Sequence, residues 1–221
     1  MNQRHFTERA YMTYAVVVGV MIGIGLVSQI AAFVVFLKPQ FQKQHLNKLF
    51  INLIVSNLVM VVVCCPLVLA SCINRGWLFG DAGCSISGFA TGVANITTIV
   101  TLSYIMRQIS SVVFKSTNSF VHTKKKQFFY ITISWMYGLV CMLPTVTGWS
   151  SLVLEPGEVN CALRWTSSAP KDIIYMVLLI IVSYVLPVGS QIRDYVRIKR
   201  YIHDEGKQLS AVIARNRALA R

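Results

Sequence analysis

The side chains able to do chemistry are few, and their spacing assembles little of it. Four histidines, His5, His45, His122 and His203, fall in separate stretches, so no set of neighbouring imidazoles suggests a metal centre. No nucleophile elbow, phosphate loop or pair of catalytic carboxylates occurs in the apolar parts of the chain, which argues against an enzyme. Asn52, Asn57 and Asn95 are the only amides deep in apolar sequence, and no ionisable residue lies deep beside them, as a transporter or pump would need. The triplet Asn95-Ile96-Thr97 has the form of a glycosylation acceptor but sits within an apolar stretch. The thiols are more informative. Cys64, Cys65 and Cys141 lie inside apolar runs and read as small core residues, whereas Cys84, Cys161 and Cys72 all lie toward one side, where oxidation is possible. Position alone does not choose which of those three pair.

These residues must be positioned by membrane helices. Hydrophobic residues make up 55% of the chain and charged residues only 13%, about half the usual share for a soluble domain. Residues 11–37, 49–74, 84–106, 127–154 and 173–192 carry no charged side chain. About 20 apolar residues span a bilayer as a helix, so each run is long enough. The predicted fold is an all-α membrane protein, a bundle of five transmembrane helices. The first run is too long for a signal-peptide core and is expected to remain as a span. The net charge of +13 is a topology signal rather than a nucleic-acid footprint. Of the 21 basic residues, sixteen lie in the connections and tail on one side, and Arg4, Arg9, Arg75, Arg164 and Lys171 lie on the other. The positive-inside rule then puts the amino terminus outside the cell and the carboxyl terminus in the cytoplasm, with the lipid bilayer as the first partner. Residues 1–10 are expected to be an extracellular segment, 11–200 the bundle, and 201–221 a basic cytoplasmic tail.

Several motifs then fall into one order. LFINLIVSNLVM resembles the second helix of rhodopsin-like G-protein-coupled receptors, and RGWLFGDAGC resembles their first external loop, with Trp77 seven residues before Cys84. Trp135 and Pro144 in the fourth run, and Pro187 and Tyr195 in and after the fifth, continue the pattern. The stretch LPTVTGWSSLVLEPGEVNCALRW looks like the second external loop of an opsin, with Pro144, Gly148-Trp149-Ser150, Glu155 and Cys161 in place. The third run also resembles an opsin, through Gly88-Phe89 and Thr101-Leu102. The resemblance implies helices 1–5 of a seven-helix receptor at the plasma membrane, a Cys84–Cys161 disulfide holding the loop as a lid, and interfacial roles for Trp77 and Trp149. It also implies a ligand pocket near Ser87, Thr91 and Glu155. In many opsins the loop acid at the position of Glu155 offsets the charge of a retinal Schiff base. On the opposite side, it implies a G-protein face including Arg107, Gln108, Ile109 and Tyr195.

The departures bear on function. Ile24 stands where the family commonly has asparagine, and Asn57 where it has the aspartate that helps hold sodium, so no sodium site is expected. Gln108-Ile109-Ser110 occupy the place of the acid-Arg-Tyr triplet. Arg107 lies two residues early, about 200° round a helix, where snorkelling to the interface is its default role. Thr91 replaces the aspartate of amine receptors. Helices six and seven are not in these residues, and none of the ten lysines lies within an apolar run. The expectation is therefore no cofactor in this chain, although retinal belongs to a full-length opsin. Two functions follow from the resemblance: an opsin-like receptor, sensing light or a small ligand and signalling to heterotrimeric G protein, or a non-signalling five-helix remnant that associates with full-length receptors.

Overall fold

The computed structural model describes residues 7–42, 44, 46–114 and 124–219, and their side chains except at 124–125 and 209–219. His5, His45, His122 and Arg4 lie outside the described residues. Five helices are long and apolar enough to cross a membrane. The first is Glu8–Leu37 and the third Gly80–Phe114. The second runs Asn47–Asn74, the fourth Lys126–Thr145 and the fifth from Pro170, remaining helical through Leu219. The basic stretch after residue 200 thus continues the fifth helix.

The second and fifth helices each contain one π-helical segment, Met60–Cys64 and Ile181–Val185. Each lies just before a proline, Pro66 or Pro187. A proline donates no backbone hydrogen bond and its ring crowds the carbonyl four residues back, so a wider turn relieves the clash. In a membrane, carbonyls loosened this way need other donors. The Tyr137 hydroxyl donates to Val182 O, five residues before Pro187, at 2.8 Å.

The third helix is the centre, packed against the second, fourth and fifth and against a short hairpin. The hairpin pairs β1 (Leu152–Leu154) with β2 (Cys161–Leu163), Val153 opposite Ala162. The uncharged run 127–154 therefore overshoots its helix: a turn at Gly148, with φ +86°, leads the chain into β1. The first helix packs mainly on the second and its neighbouring segments and touches the hairpin loop through Tyr11, and Ile24 is exposed on it. Helix contacts use small residues. A Cβ on Gly138 would lie 2.8 Å from Val93 O and 3.0 Å from Thr97 Oγ1, so the fourth helix reaches the third at that point only because Gly138 has none.

Candidate functional site: a covered end, a polar middle and a basic end

At one end of the bundle Cys84 and Cys161 are joined by a disulfide, and Cys72, buried nearby, is free. The bond ties β2 to the start of the third helix. Gly88, one turn on, leaves room for the hairpin: a Cβ there would meet Leu152 Cδ2 at 3.1 Å and Cys161 O at 3.3 Å. The loop is also tied to the first two helices. The Tyr11 hydroxyl donates to Gly157 O at 3.2 Å, and Tyr11, Ala15, Cys72 and Val159 form one buried cluster. Arg75 and Glu8 form an ion pair beside it. Trp149 donates through Nε1 to Lys171 O at 3.1 Å and is half exposed, and Trp77 donates to Gly80 O at 2.8 Å. Both rings thus lie at the helix ends.

The three pocket candidates are not gathered together. Glu155 accepts from Asn160 Nδ2 at 3.0 Å and, with Tyr14 and Val17, lines a 640 Å³ cleft between the first helix and the loop. Neither Ser87 nor Thr91 lines that cleft. Ser87 is buried beneath the hairpin, its carbonyl 4.0 Å from Cys64 Sγ, and Thr91 is half-buried one turn further on.

The middle is held by amides and hydroxyls. Asn52 donates through Nδ2 to Thr101 Oγ1 at 2.9 Å and accepts from Trp135 Nε1 at 2.8 Å, so one side chain joins three helices. Ser134 Oγ lies 3.5 Å from the same Nδ2. Ser56 and Thr98 share a hydrogen bond of 2.8 Å, and Thr98 donates to Asn57 Oδ1 at 3.3 Å. The amide at residue 57, where the family carries an acid, is thereby used within the bundle. A second cluster, missed from the sequence, joins the third and fifth helices: Gln191 Nε2 donates to Ser103 Oγ at 2.9 Å and Ile99 O at 3.2 Å. Asn95 is exposed.

At the opposite, basic end, the face candidates diverge. Gln108 is buried, and its Oε1 has no hydrogen-bond partner among the described residues. Ile109 is half-buried and Tyr195 is exposed. Arg107 lines a 480 Å³ cavity between the third and fifth helices with Ser110, Phe114, Arg193, Arg197 and Asp194. Asp194 is the functional candidate the sequence concealed. It is only 6% exposed, and its Oδ2 has no hydrogen-bond partner among the described residues. A signal existed: Ser183, Pro187, Gln191 and Asp194 recur at helical spacing along the fifth helix. No group of three or more potential metal ligands occurs among the described residues. Lys48 and Lys171 lie at helix starts, with Lys48 Nζ 3.9 Å from the Phe128 ring centre and Lys171 Nζ 3.5 Å from Gly148 O, while Lys199 and Lys207 lie on the basic extension of the fifth helix.

Residues 28–219 match the family model of the 7 transmembrane receptor (rhodopsin family). Human melanopsin is 28% identical over 204 residues, which are 91% of this chain and 42% of that protein. A protein named "Rhodopsin, G0-coupled" from Mizuhopecten yessoensis is 26% identical over 186 residues, covering 81% of this chain and 46% of its own. The crystal structure of squid rhodopsin superposes with a TM-score of 0.86 at 22% identity, over 96% of this chain and 58% of that one. The chain thus spans less than half the length of these two curated relatives.

Proposed function

Because the chain belongs to the rhodopsin family of seven-transmembrane receptors, we propose that residues 1–221 are helices one to five of an opsin-like receptor that senses light or a small ligand and signals to a heterotrimeric G protein. The observation that carries this reading is the lid: a hairpin fixed over the third helix by Cys84–Cys161 and seated on Gly88. Similarity to proteins named melanopsin and G0-coupled rhodopsin favours the opsin branch and that partner. It is a receptor and not an enzyme. The unequal basic residues support an outward amino terminus and a basic end in the cytoplasm at the plasma membrane. Residues 1–221 do not fit covalent retinal. An imine needs a lysine inside the pocket, and every lysine here lies outside the five apolar runs.

Two measurements test this. Transcript sequence beyond codon 221 should encode, in frame, two further apolar runs with a lysine in the second. Residues 1–221 expressed alone with retinal should give no visible absorption band and no light-dependent nucleotide exchange. A band from this chain alone would overturn the reading of its lysines, and a continuation without apolar runs would overturn the receptor assignment.

A further inference from the structure

The fifth helix keeps one face on the bundle only through a change of backbone partway along. Toward the basic end its contact is Gln191, whose Nε2 donates to Ile99 O at 3.2 Å and Ser103 Oγ at 2.9 Å. Toward the covered end Leu179 packs on the cluster of Val93, Ile96, Val100 and Met142, and Tyr175 and Asp172 are buried. An uninterrupted α-helix advances about 100° per residue, so Leu179 and Asp172 would stand about 120° and 100° round the axis from Gln191. The π turn at Ile181–Val185 removes that offset. It holds one residue more than an α turn. Leaving that residue out of the count brings Leu179 to about 20° and Asp172 to about 0° from Gln191. The π turn therefore sets the rotation of everything between it and the covered end.

The lid depends on that rotation. Both ends of the loop that carries the hairpin are bonded to the first turn of the fifth helix. At the entry, Trp149 Nε1 donates to Lys171 O at 3.1 Å and Lys171 Nζ lies 3.5 Å from Gly148 O. At the exit, Ser167 Oγ donates to Asp172 Oδ2 at 2.6 Å and accepts from Ala169 N at 3.2 Å. Tyr175, one turn on, donates to Cys141 O at 2.9 Å and fixes the same face to the fourth helix. The hairpin is held to the third helix by Cys84–Cys161. The lid thus has one covalent edge and one hydrogen-bonded edge.

The fourth helix supports the π turn. In this register Leu186 N donates to Ile181 O, and Pro187 has no N–H for the next carbonyl, that of Val182. The Tyr137 hydroxyl supplies the donor at 2.8 Å. In the α register Val182 O would take the Leu186 N–H instead, and the orphaned carbonyl would be that of Ser183. Tyr137 favours the π register because it meets the orphan that this register creates.

We propose that Tyr137 is a positioning residue for the lid: by holding the π turn it keeps Lys171 and Asp172 against the loop, and the fifth-helix edge is where the lid opens. The inference rests on the contacts of the lid and stands whichever ligand the receptor takes.

The test is hydrogen–deuterium exchange, read by mass spectrometry, on residues 1–221 in phosphatidylcholine nanodiscs. Tyr137→Phe should speed exchange of residues 164–176 about threefold, the factor for an average interhelical hydrogen bond in a membrane. Asp172 is about 15 Å along the helix from Val182, so a local effect would not reach it. The hairpin, residues 152–163, should keep its parental rate. Asp172→Ala should speed residues 164–176 alike while leaving 178–186 unchanged. Deleting Val182 takes out the extra residue and preserves the rotation, so alone it should leave 164–176 at the parental rate. Combined with Tyr137→Phe, it should restore that rate. An effect of Tyr137→Phe confined to residues 178–186 overturns the proposal, as does a double variant that exchanges as fast as Tyr137→Phe alone. Should Tyr137→Phe fail to fold, the deletion decides by itself: faster exchange of 164–176 on losing Val182 would show that the π turn does not set the rotation.

Discussion

Replacing Asn52 by leucine should cost more than the contacts it makes, because of what it leaves behind. The amide joins the second, third and fourth helices through Thr101 at 2.9 Å and Trp135 at 2.8 Å. Thr101 is fully buried, and Trp135, half-buried, lies within a membrane-spanning helix, so neither partner finds water when the amide goes. Interhelical hydrogen bonds in membranes average about 0.6 kcal/mol and reach about 1.7. An orphaned buried donor costs roughly 1–3 kcal/mol. Asn52→Leu removes both short bonds and orphans the Trp135 N–H, for a total of about 2–4 kcal/mol. Trp135→Phe removes one bond and orphans the Asn52 carbonyl oxygen, costing about 1–3 kcal/mol.

The double variant carries neither an orphaned indole N–H nor an orphaned amide oxygen. Its cost should therefore fall short of the sum of the singles by about 1 kcal/mol, a coupling within the range seen for contacting residues. Unfolding in mixed micelles by circular dichroism measures this. Dye labelling of Cys64 and Cys72, both buried and free, gives a second readout. Strictly additive costs, or an Asn52→Leu cost below about 0.5 kcal/mol, would refute the reasoning that this amide is a shared node.

Gly138→Ala should destabilise the bundle by about 1–3 kcal/mol, because its new Cβ meets the Val93 carbonyl. Gly189→Ala, whose Cβ would meet nothing within 4 Å, should leave stability equal or higher in the same unfolding assay. Cys84→Ser and Cys161→Ser should reduce folded surface protein equally, the double variant no further, while Cys72→Ser leaves the bond intact; non-reducing peptide mapping that finds Cys72 paired would contradict this. A tag placed after Arg221 should be hidden from antibody on intact cells and exposed on permeabilisation, and staining of intact cells would reverse the proposed orientation.

The five helices were legible because a bilayer admits so few backbone solutions that length and lack of charge nearly determine each span. The Cys84–Cys161 pairing was legible through the family resemblance, since three thiols lie toward that side and position alone does not choose among them. The hairpin was hidden because Leu152–Leu154 is as apolar as the helix before it, and the change of backbone depends on the left-handed turn at Gly148. Asp194 was hidden for the opposite reason. It stands among arginines and reads as part of a solvated tail, yet the fifth helix continues straight past it and turns it toward the third. Ser87, Thr91 and Glu155 were grouped by family position, whereas the cleft that holds Glu155 is bounded by the first helix and the loop.

The cohesive chemistry differs along the bundle axis, and that difference has a mechanical consequence. At the covered end the third helix, the hairpin and the first two helices are joined by a covalent bond, a buried cluster and an ion pair. In the middle, Asn52 and Gln191 cross-link the third helix to its neighbours with hydrogen bonds that need fixed geometry. Beyond Gln191 toward the basic end, the third and fifth helices enclose a cavity lined by an unpaired carboxylate and three arginines. A change in separation there disturbs no buried hydrogen bond of Asp194 Oδ2, since none exists among the described residues. What joins the third and fifth helices at that end is instead Arg197 over the Phe114 ring at 4.2 Å and the Phe114–Tyr201 ring pair at 5.0 Å, contacts less dependent on exact geometry than the hydrogen bonds Gln191 makes to Ser103 and the Ile99 carbonyl.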